Sequence, residues 1–224
     1  MKKKLNILIV DDHPIIVEGY KNALLSIELP DHDIHVDTTD NCEDAYRKIR
    51  TASHEKKPYD VLLLDIKLPP SSNGRILSGE DLGTIARNLT PQAKIVVITM
   101  FNENPRIHNI LKTIDPDGFL IKSDLTSNEF LKAFRGVMEK PPYYSHTVNN
   151  FLRLQSNSDV VLDDIDRSIL YHLSQGIRTK NLTEYVSLSL AGIEKRKRLL
   201  KQAFGVESHD DEKLLEIARE RGFI

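Results

Sequence analysis

Residues 5–12 read Leu5-Asn6-Ile7-Leu8-Ile9-Val10-Asp11-Asp12, a short and mostly apolar run that stops on two carboxylates. Three further runs behave alike. Val61–Leu64 stops on Asp65, Ile95–Ile98 on Thr99, and Phe119–Ile121 on Lys122. Continuous apolar runs of this length, separated by helix-length segments, predict strands buried in a parallel sheet. In an open α/β sheet the ligand crevice lies off the carboxyl ends of the strands. The pattern therefore brings three acids, a hydroxyl and an ammonium to one edge. Carboxylate oxygens are the hard ligands that Mg²⁺ prefers. A lysine and a hydroxyl suit the oxygens of a phosphoryl group. A carboxylate beside a bound cation can act as a nucleophile toward a phosphoryl donor.

Outward from these runs, strand and helix alternate from residue 1 to 139. Pro14 opens a helix carrying Ile15, Val17, Tyr20, Leu24 and Leu25, a position where proline's missing N–H costs nothing. A second strand is expected over His35–Thr38, with Asn41 capping the helix behind it. Further helices are expected from Glu80 to Asn88, after Pro105, and over Ser127–Glu139, where Phe130, Leu131, Phe134 and Val137 fall on one face. Five such repeats predict a flavodoxin-like, doubly wound, five-stranded parallel sheet. Residues 140–158 break the pattern with Pro141-Pro142 and a polar stretch from Gln155 to Ser158, and read as a linker with a short helix at Thr147–Leu154. Residues 159–224 carry only helical patterns, at Asp164–Leu173, Lys180–Tyr185, Ser189–Phe204 and Asp210–Arg221, the last stopped by Gly222. A second, smaller all-α domain follows.

Composition narrows the class. The chain has 224 residues, 40% hydrophobic and 29% charged, ordinary values for a globular protein. Its net charge of −2 gives no bulk attraction to nucleic acid, so such binding needs a local patch. The single cysteine, Cys42, excludes an intrachain disulfide and fits a reducing cytoplasm. Lys2-Lys3-Lys4 precede an apolar run too short for a signal-peptide core. No run is long enough to span a membrane.

Residues 1–139 resemble the receiver domain of two-component response regulators. In that family an acid pair, the phosphorylated Asp, a Thr or Ser and a Lys follow strands 1, 3, 4 and 5, as Asp11-Asp12, Asp65, Thr99 and Lys122 do here. The resemblance implies Asp65 as phospho-acceptor. It implies Mg²⁺ on Asp12, Asp65 and the Lys67 backbone carbonyl, and on Asp11 through water. It implies Thr99 and Phe119 as the switch pair, Phe119 lying three residues before the lysine. His13 is expected to be a neighbour of the site, without a catalytic role. Two departures stand beside the site. The expected glycine comes as Gly79, fourteen residues after Asp65, an insertion of about six residues near Ser71–Leu77. It reads either as a gate or kinase contact, or as a loose decoration. Met100 follows Thr99 where the family commonly has Ala or Gly, a bulk expected to slow the approach of a phosphodonor or of water.

The C-terminal pattern of a short helix, a turn and a longer basic helix is that of a helix-turn-helix. Ile193, Leu199, Leu200, Ala203 and Phe204 form the predicted apolar stripe of the longer helix, with the Arg196 stem packed at its edge. Lys195, Lys197, Arg198 and Lys201 are the candidate DNA contacts. Leu162–Ile224 resembles the LuxR/FixJ-type (NarL-type) DNA-binding domain, on Leu162, Leu170, Gly176, Lys180, Leu182, Leu188-Ser189, Ile193 and Phe204-Gly205-Val206. It departs at Asp166 for the usual Glu, Gly192 for Thr, Glu194 for a basic residue and Arg196 for His. The resemblance also implies a dimerisation role for the last helix, with Leu214, Leu215, Ile217 and Ala218.

These readings predict a cytoplasmic regulator. A sensor histidine kinase phosphorylates it on Asp65, and it binds promoter DNA, as a homodimer when phosphorylated, to control transcription. The alternative is a phospho-regulated protein-interaction module whose helix-turn-helix no longer binds DNA. Glu194 and a domain with twelve acids against eleven bases motivate it. A turnover enzyme is not expected, because no separate general acid or substrate pocket is visible.

Overall fold

The computed structural model describes residues 2–27, 29–72, 74–156, 162–206, 210–221 and 223–224. Strands β1 (Lys3–Val10), β2 (His32–Thr39), β3 (Val61–Leu64), β4 (Lys94–Thr99), β5 (Gly118–Ile121) and β6 (Tyr143–Tyr144) form one parallel sheet in the order β2-β1-β3-β4-β5-β6. Helices α1 (Pro14–Leu25), α2 (Cys42–His54), α3 (Gly79–Leu89), α4 (Asn104–Ile114) and α5 (Ser127–Glu139) connect them. Every residue of β3 and β5 is buried, which is why those strands read as unbroken apolar runs. Edge strand β2 alternates in exposure and has three residues more on its N-terminal side than its sequence suggested.

Among the described residues the sheet has six strands, not five. Tyr143–Tyr144 was expected to be linker, and it pairs with Gly118–Phe119 of β5. Tyr143 N–H donates to the Asp117 carbonyl at 3.0 Å and Ser145 N–H to the Phe119 carbonyl at 3.0 Å. Without them the β5 edge would leave these carbonyls unpaired. Two residues are too few to show a period of two, so this strand has no sequence signature.

Side-chain caps fix the starts of α2, α3 and α5: Asn41 accepts from Asp44 N–H, Ser78 from Glu80 N–H and Thr126 from Glu129 N–H. The segment inserted after β3 is pinned at several points. Ser71 N–H donates to the Ile76 carbonyl at 2.8 Å, Ile76 N–H returns to Ser71 Oγ at 3.0 Å, and Ser72 Oγ donates to Glu43 Oε2 on α2 at 2.5 Å. Ile76 is buried. The reading as a loose decoration is therefore not the one this geometry favours. Cys42 is fully buried, and burial followed by the Asp81 charge pushes its thiol up to about 11.

The chain divides into two compact units, residues 1–102 with 109–148, and residues 103–108 with 149–224, so the division passes through α6 (His146–Ser156). The second unit continues with α7 (Asp164–Ser174), a 3₁₀ turn (Thr179–Glu184), α8 (Leu190–Phe204) and α9 (Asp211–Glu220). Its core includes Ile169, Leu170, Leu182, Ile193, Leu200, Phe204 and Leu214. Where an α-helix was expected over Lys180–Tyr185, the chain makes the 3₁₀ turn. Only Leu182 of that turn is buried, and one apolar anchor does not sustain a longer helix. Gly205 ends α8 in the left-handed region at φ 72°. Gly222, the expected stop of the last helix, lies outside the described residues, as does most of the polar stretch before residue 162.

Gly79 is required by close approach. A Cβ there would lie 1.8 Å from the Asp65 carbonyl oxygen, a backbone atom that cannot yield cheaply. Gly79→Ala is expected to destabilise the protein by about 3 kcal/mol or more. Urea unfolding monitored by circular dichroism measures this.

Candidate functional site

The sheet register builds the site. Val10, Leu64, Val97 and Phe119 lie in one row across β1, β3, β4 and β5. Asp11 and Asp65 stand one residue beyond that row, Thr99 two and Lys122 three. All four therefore emerge at the same edge. The Lys122 ammonium lies 2.7 Å from Asp11 Oδ2 and 2.6 Å from Asp65 Oδ2. The three side chains are only 5%, 3% and 2% exposed. Burial alone would push the Lys122 pKa down. The hydrogen bonds and charges of Asp11 and Asp65 more than reverse that and hold it above its ordinary 10.5. Asp65 Oδ1 also accepts Lys67 N–H at 3.0 Å, which fixes the carboxylate's orientation.

Asp11, Asp12, His13 and Asp65 each offer one ligand atom, all within 4.8 Å of one another. His13 Nδ1 lies 3.0 Å from Asp11 Oδ1 and 2.8 Å from Asp12 Oδ1. Three carboxylates gathered at one edge of the sheet are a donor set that fits a hard divalent cation. Thr99 is fully buried, and its Oγ1 accepts Phe101 N–H at 3.3 Å. Phe119 is fully buried, whereas Met100 is 59% exposed.

The second unit contradicts part of the sequence reading of α8. Lys197 and Lys201, expected to face DNA, are buried, their ammonium groups 2.9 Å and 2.5 Å from the Asp211 carboxylate. Lys197 also donates to Thr179 Oγ1 at 2.7 Å. Leu199, expected in the apolar stripe, is 48% exposed. The inward positions are Ile193, Lys197, Leu200, Lys201 and Phe204. The lysine stems pack with the core while Asp211 neutralises their ends. Lys195 and Arg198 are exposed, as are Leu190 and Glu194. Arg196 Nη1 bridges Asp163 at 2.6 Å and Asp166 at 3.1 Å.

Residues 7–135, more than half of the chain, match the response regulator receiver domain. The chain belongs to the response regulators. This regulator is 27% identical over 217 residues to the oxygen regulatory protein NreC of Staphylococcus aureus, covering 91% of this chain and 93% of that one. Its fold is shared with a structure of two RcsB dimers bound to two parallel DNAs (TM-score 0.63, 21% identity, 97% of this chain and 99% of that one). It is also shared with RcsB from Salmonella enterica serovar Typhimurium bound to promoter P1flhDC in the presence of the phosphomimetic BeF3− (TM-score 0.61, 22% identity, 96% and 98%). Among the described residues no helix is long and apolar enough to cross a membrane.

His13, expected as a neighbour of the site, contacts both members of the acid pair. Two features of this regulator escaped the sequence. Asp211 as the partner of two lysines had no local signal, since it lies ten and fourteen residues from them. The same holds for Asp124, whose partners lie more than twenty residues away.

Lys122→Met leaves two buried carboxylates without a counter-charge. It is expected to cost roughly 3–5 kcal/mol in EDTA at neutral pH. Because the folded pKa of Lys122 is raised, its contribution is complete below 10.5 and is lost as pH rises through the still higher folded value. The stability difference between wild type and variant should thus stay level from neutral pH to about 10 and shrink only above that. Urea unfolding across that pH range measures it.

Proposed function

We propose that this response regulator accepts a phosphoryl group on Asp65 from a sensor histidine kinase in the cytoplasm. In the phosphorylated state it binds promoter DNA as a homodimer and regulates transcription. The observation that carries the reading is the Lys122 ammonium held between the Asp11 and Asp65 carboxylates at the carboxyl edge of the sheet. An Asp65 oxygen attacks phosphorus and forms an O–P bond. The N–P bond of the kinase phosphohistidine breaks, and its electron pair returns to the imidazole nitrogen. Lys122 then exchanges one carboxylate contact for a phosphoryl oxygen, and the Thr99 hydroxyl donates to another. Asp11, Asp12, Asp65 and the Lys67 carbonyl would hold Mg²⁺, which when bound neutralises phosphoryl oxygens. Fully buried Phe119, which pairs with Val97 of β4, would follow Thr99 as the switch aromatic.

The DNA reading rests on the helix-turn-helix order of the second unit and on the end-to-end match to regulators of which one was solved on DNA. Lys195 and Arg198 are the contacts we assign to α8. Lys197 and Lys201 serve instead as structural partners of Asp211. Leu214 and Ala218 of α9 are buried in the core of their own unit, so a dimer through α9 would use Leu215 and Ile217. A second reading, a protein-interaction surface in place of a DNA surface, is favoured by exposed Leu190 and Leu199 beside Glu194.

Acetyl phosphate should produce a phosphate-dependent mobility shift in wild type and none in Asp65→Asn. It should raise promoter affinity in wild type by about tenfold or more, and leave the variant unchanged. Equal affinity in both removes the phospho-switch.

Salt titration of DNA binding separates the α8 residues. Lys195→Ala and Arg198→Ala should each reduce the salt slope by about 1, while Lys197→Ala and Lys201→Ala should lower the unfolding midpoint. Absence of any DNA binding at low salt selects the protein-interaction reading.

A further inference from the structure

Asp124 lies two residues beyond Lys122, and no step of phosphoryl chemistry uses it. Its carboxylate is nevertheless among the most engaged in the first unit. Oδ2 accepts Ser145 Oγ at 2.6 Å and Thr147 N–H at 2.9 Å, and Oδ1 accepts Thr147 Oγ1 at 2.9 Å. Ser145 Oγ in turn accepts Ile121 N–H, the last amide of β5, at 3.1 Å. Ser145 is buried. Thr147 is the second residue of α6, so its N–H is one of the amides that a helix leaves without an internal partner. Asp124 thus caps, from more than twenty residues away, the helix through which the two compact units are joined in sequence.

Residues Lys122–Asp124 form a single 3₁₀ turn, closed by Leu125 N–H donating to the Lys122 carbonyl at 3.2 Å. One end of this turn carries the ammonium that bridges Asp11 and Asp65. The other end carries the carboxylate that holds α6. Burial alone would raise the Asp124 pKa; the Ser145 hydroxyl and the Thr147 amide and hydroxyl bring it below the usual carboxylate range instead, so the group is ionised at neutral pH. A charged acceptor at a helix N-terminus makes short, strong bonds and is favoured by the helix dipole.

We propose that Asp124 is a positioning residue that couples the phosphorylation site to the linker helix: when Lys122 changes partner on phosphorylation of Asp65, the 3₁₀ turn moves the Asp124 carboxylate and with it Ser145, Thr147 and the start of α6. This rests on Asp65 being the phospho-acceptor. Asp124 and Thr147 both lie in the first unit, so the coupling requires no contact between units. At the far end of α6, Gln155 Oε1 accepts Arg167 Nη2 of α7 at 3.0 Å, which continues the same helix into the second unit.

The test is hydrogen exchange by mass spectrometry on the full chain, with and without acetyl phosphate, read on peptides covering residues 145–156. Phosphorylation is followed in parallel by mobility shift. In wild type, phosphorylation should change exchange at the α6 N-terminus by about fivefold or more. Asp124→Ala should be phosphorylated at a rate within about twofold of wild type, yet its α6 exchange should be fast in both states and insensitive to phosphorylation. Asp124→Asn keeps one oxygen acceptor without the charge, and should recover part of the response. A merely structural cap would leave the wild-type α6 N-terminus equally protected with and without phosphate; that result, or a variant that loses phosphorylation or exchanges fast throughout the first unit, overturns the proposal. So does an Asp124→Ala protein whose α6 responds to phosphorylation as fully as wild type. If wild type is phosphorylated with no shift in Asp65→Asn, the coupling stands or falls on the α6 response alone. If wild type takes no phosphate, the reading of Asp65 fails first and the coupling fails with it.

Discussion

Two carboxylates, Asp11 and Asp65, are buried side by side and share one ammonium, that of Lys122. Like charges at this separation repel strongly in a medium of low dielectric, and burying them without compensation would cost several kcal/mol each. The arrangement holds only because the parallel register places three strand ends within reach of one another. Each strand end is in turn fixed by the apolar row Val10, Leu64, Val97 and Phe119 behind it. The hydrophobic sheet is the support, and the acid edge is the strained element it carries. The Lys122 ammonium is held at that edge by the charges and hydrogen bonds of both carboxylates.

The second unit uses the same device for a different end. Lys197 and Lys201 stand where α8 faces its own core, and Asp211 at the start of α9 neutralises both. Two of the departures from the DNA-binding family turn out to be partners. Asp166, in place of Glu, and Arg196, in place of His, form one ion pair, with Asp163 completing it. Each substitution looks like a loss when read alone, while together they keep an oppositely charged link between α7 and α8. The cationic surface left on α8 is small, Lys195 and Arg198, with Glu194 beside them. With so few charges, the proposed DNA recognition would rest on base-edge and shape contacts more than on phosphate attraction.

Much of the receiver was legible because its elements are long in the property that identifies them. Four buried strands announce themselves by continuous apolar runs, α1 and α5 by the period of their apolar residues, and α2 by its cap at Asn41. The residues of the site sit directly at the ends of those runs, so position in sequence translated into position in space. The six-residue 3₁₀ turn and the two-residue strand β6 were not legible, since neither is long enough to show a period. The basic helix was misread at Leu199 and Ala203, which are exposed, and at Lys197 and Lys201, which are buried. A helical wheel weighs each residue by its type, and a lysine with a buried partner does not look different from a solvated one.

The order of strands and helices, the edge at which Asp11, Asp12, Asp65, Thr99 and Lys122 emerge, and the division into an α/β unit and a helical unit were determined by the sequence, because hydrophobic periodicity is a local property. Which charges face one another was decided only by the tertiary structure. Lys122 with Asp11 and Asp65, Lys197 and Lys201 with Asp211, and Asp124 with Ser145 and Thr147 are all partners distant in the chain. Pairing across such distances depends on how the elements pack, and packing is a property of the whole fold that no single window of sequence contains.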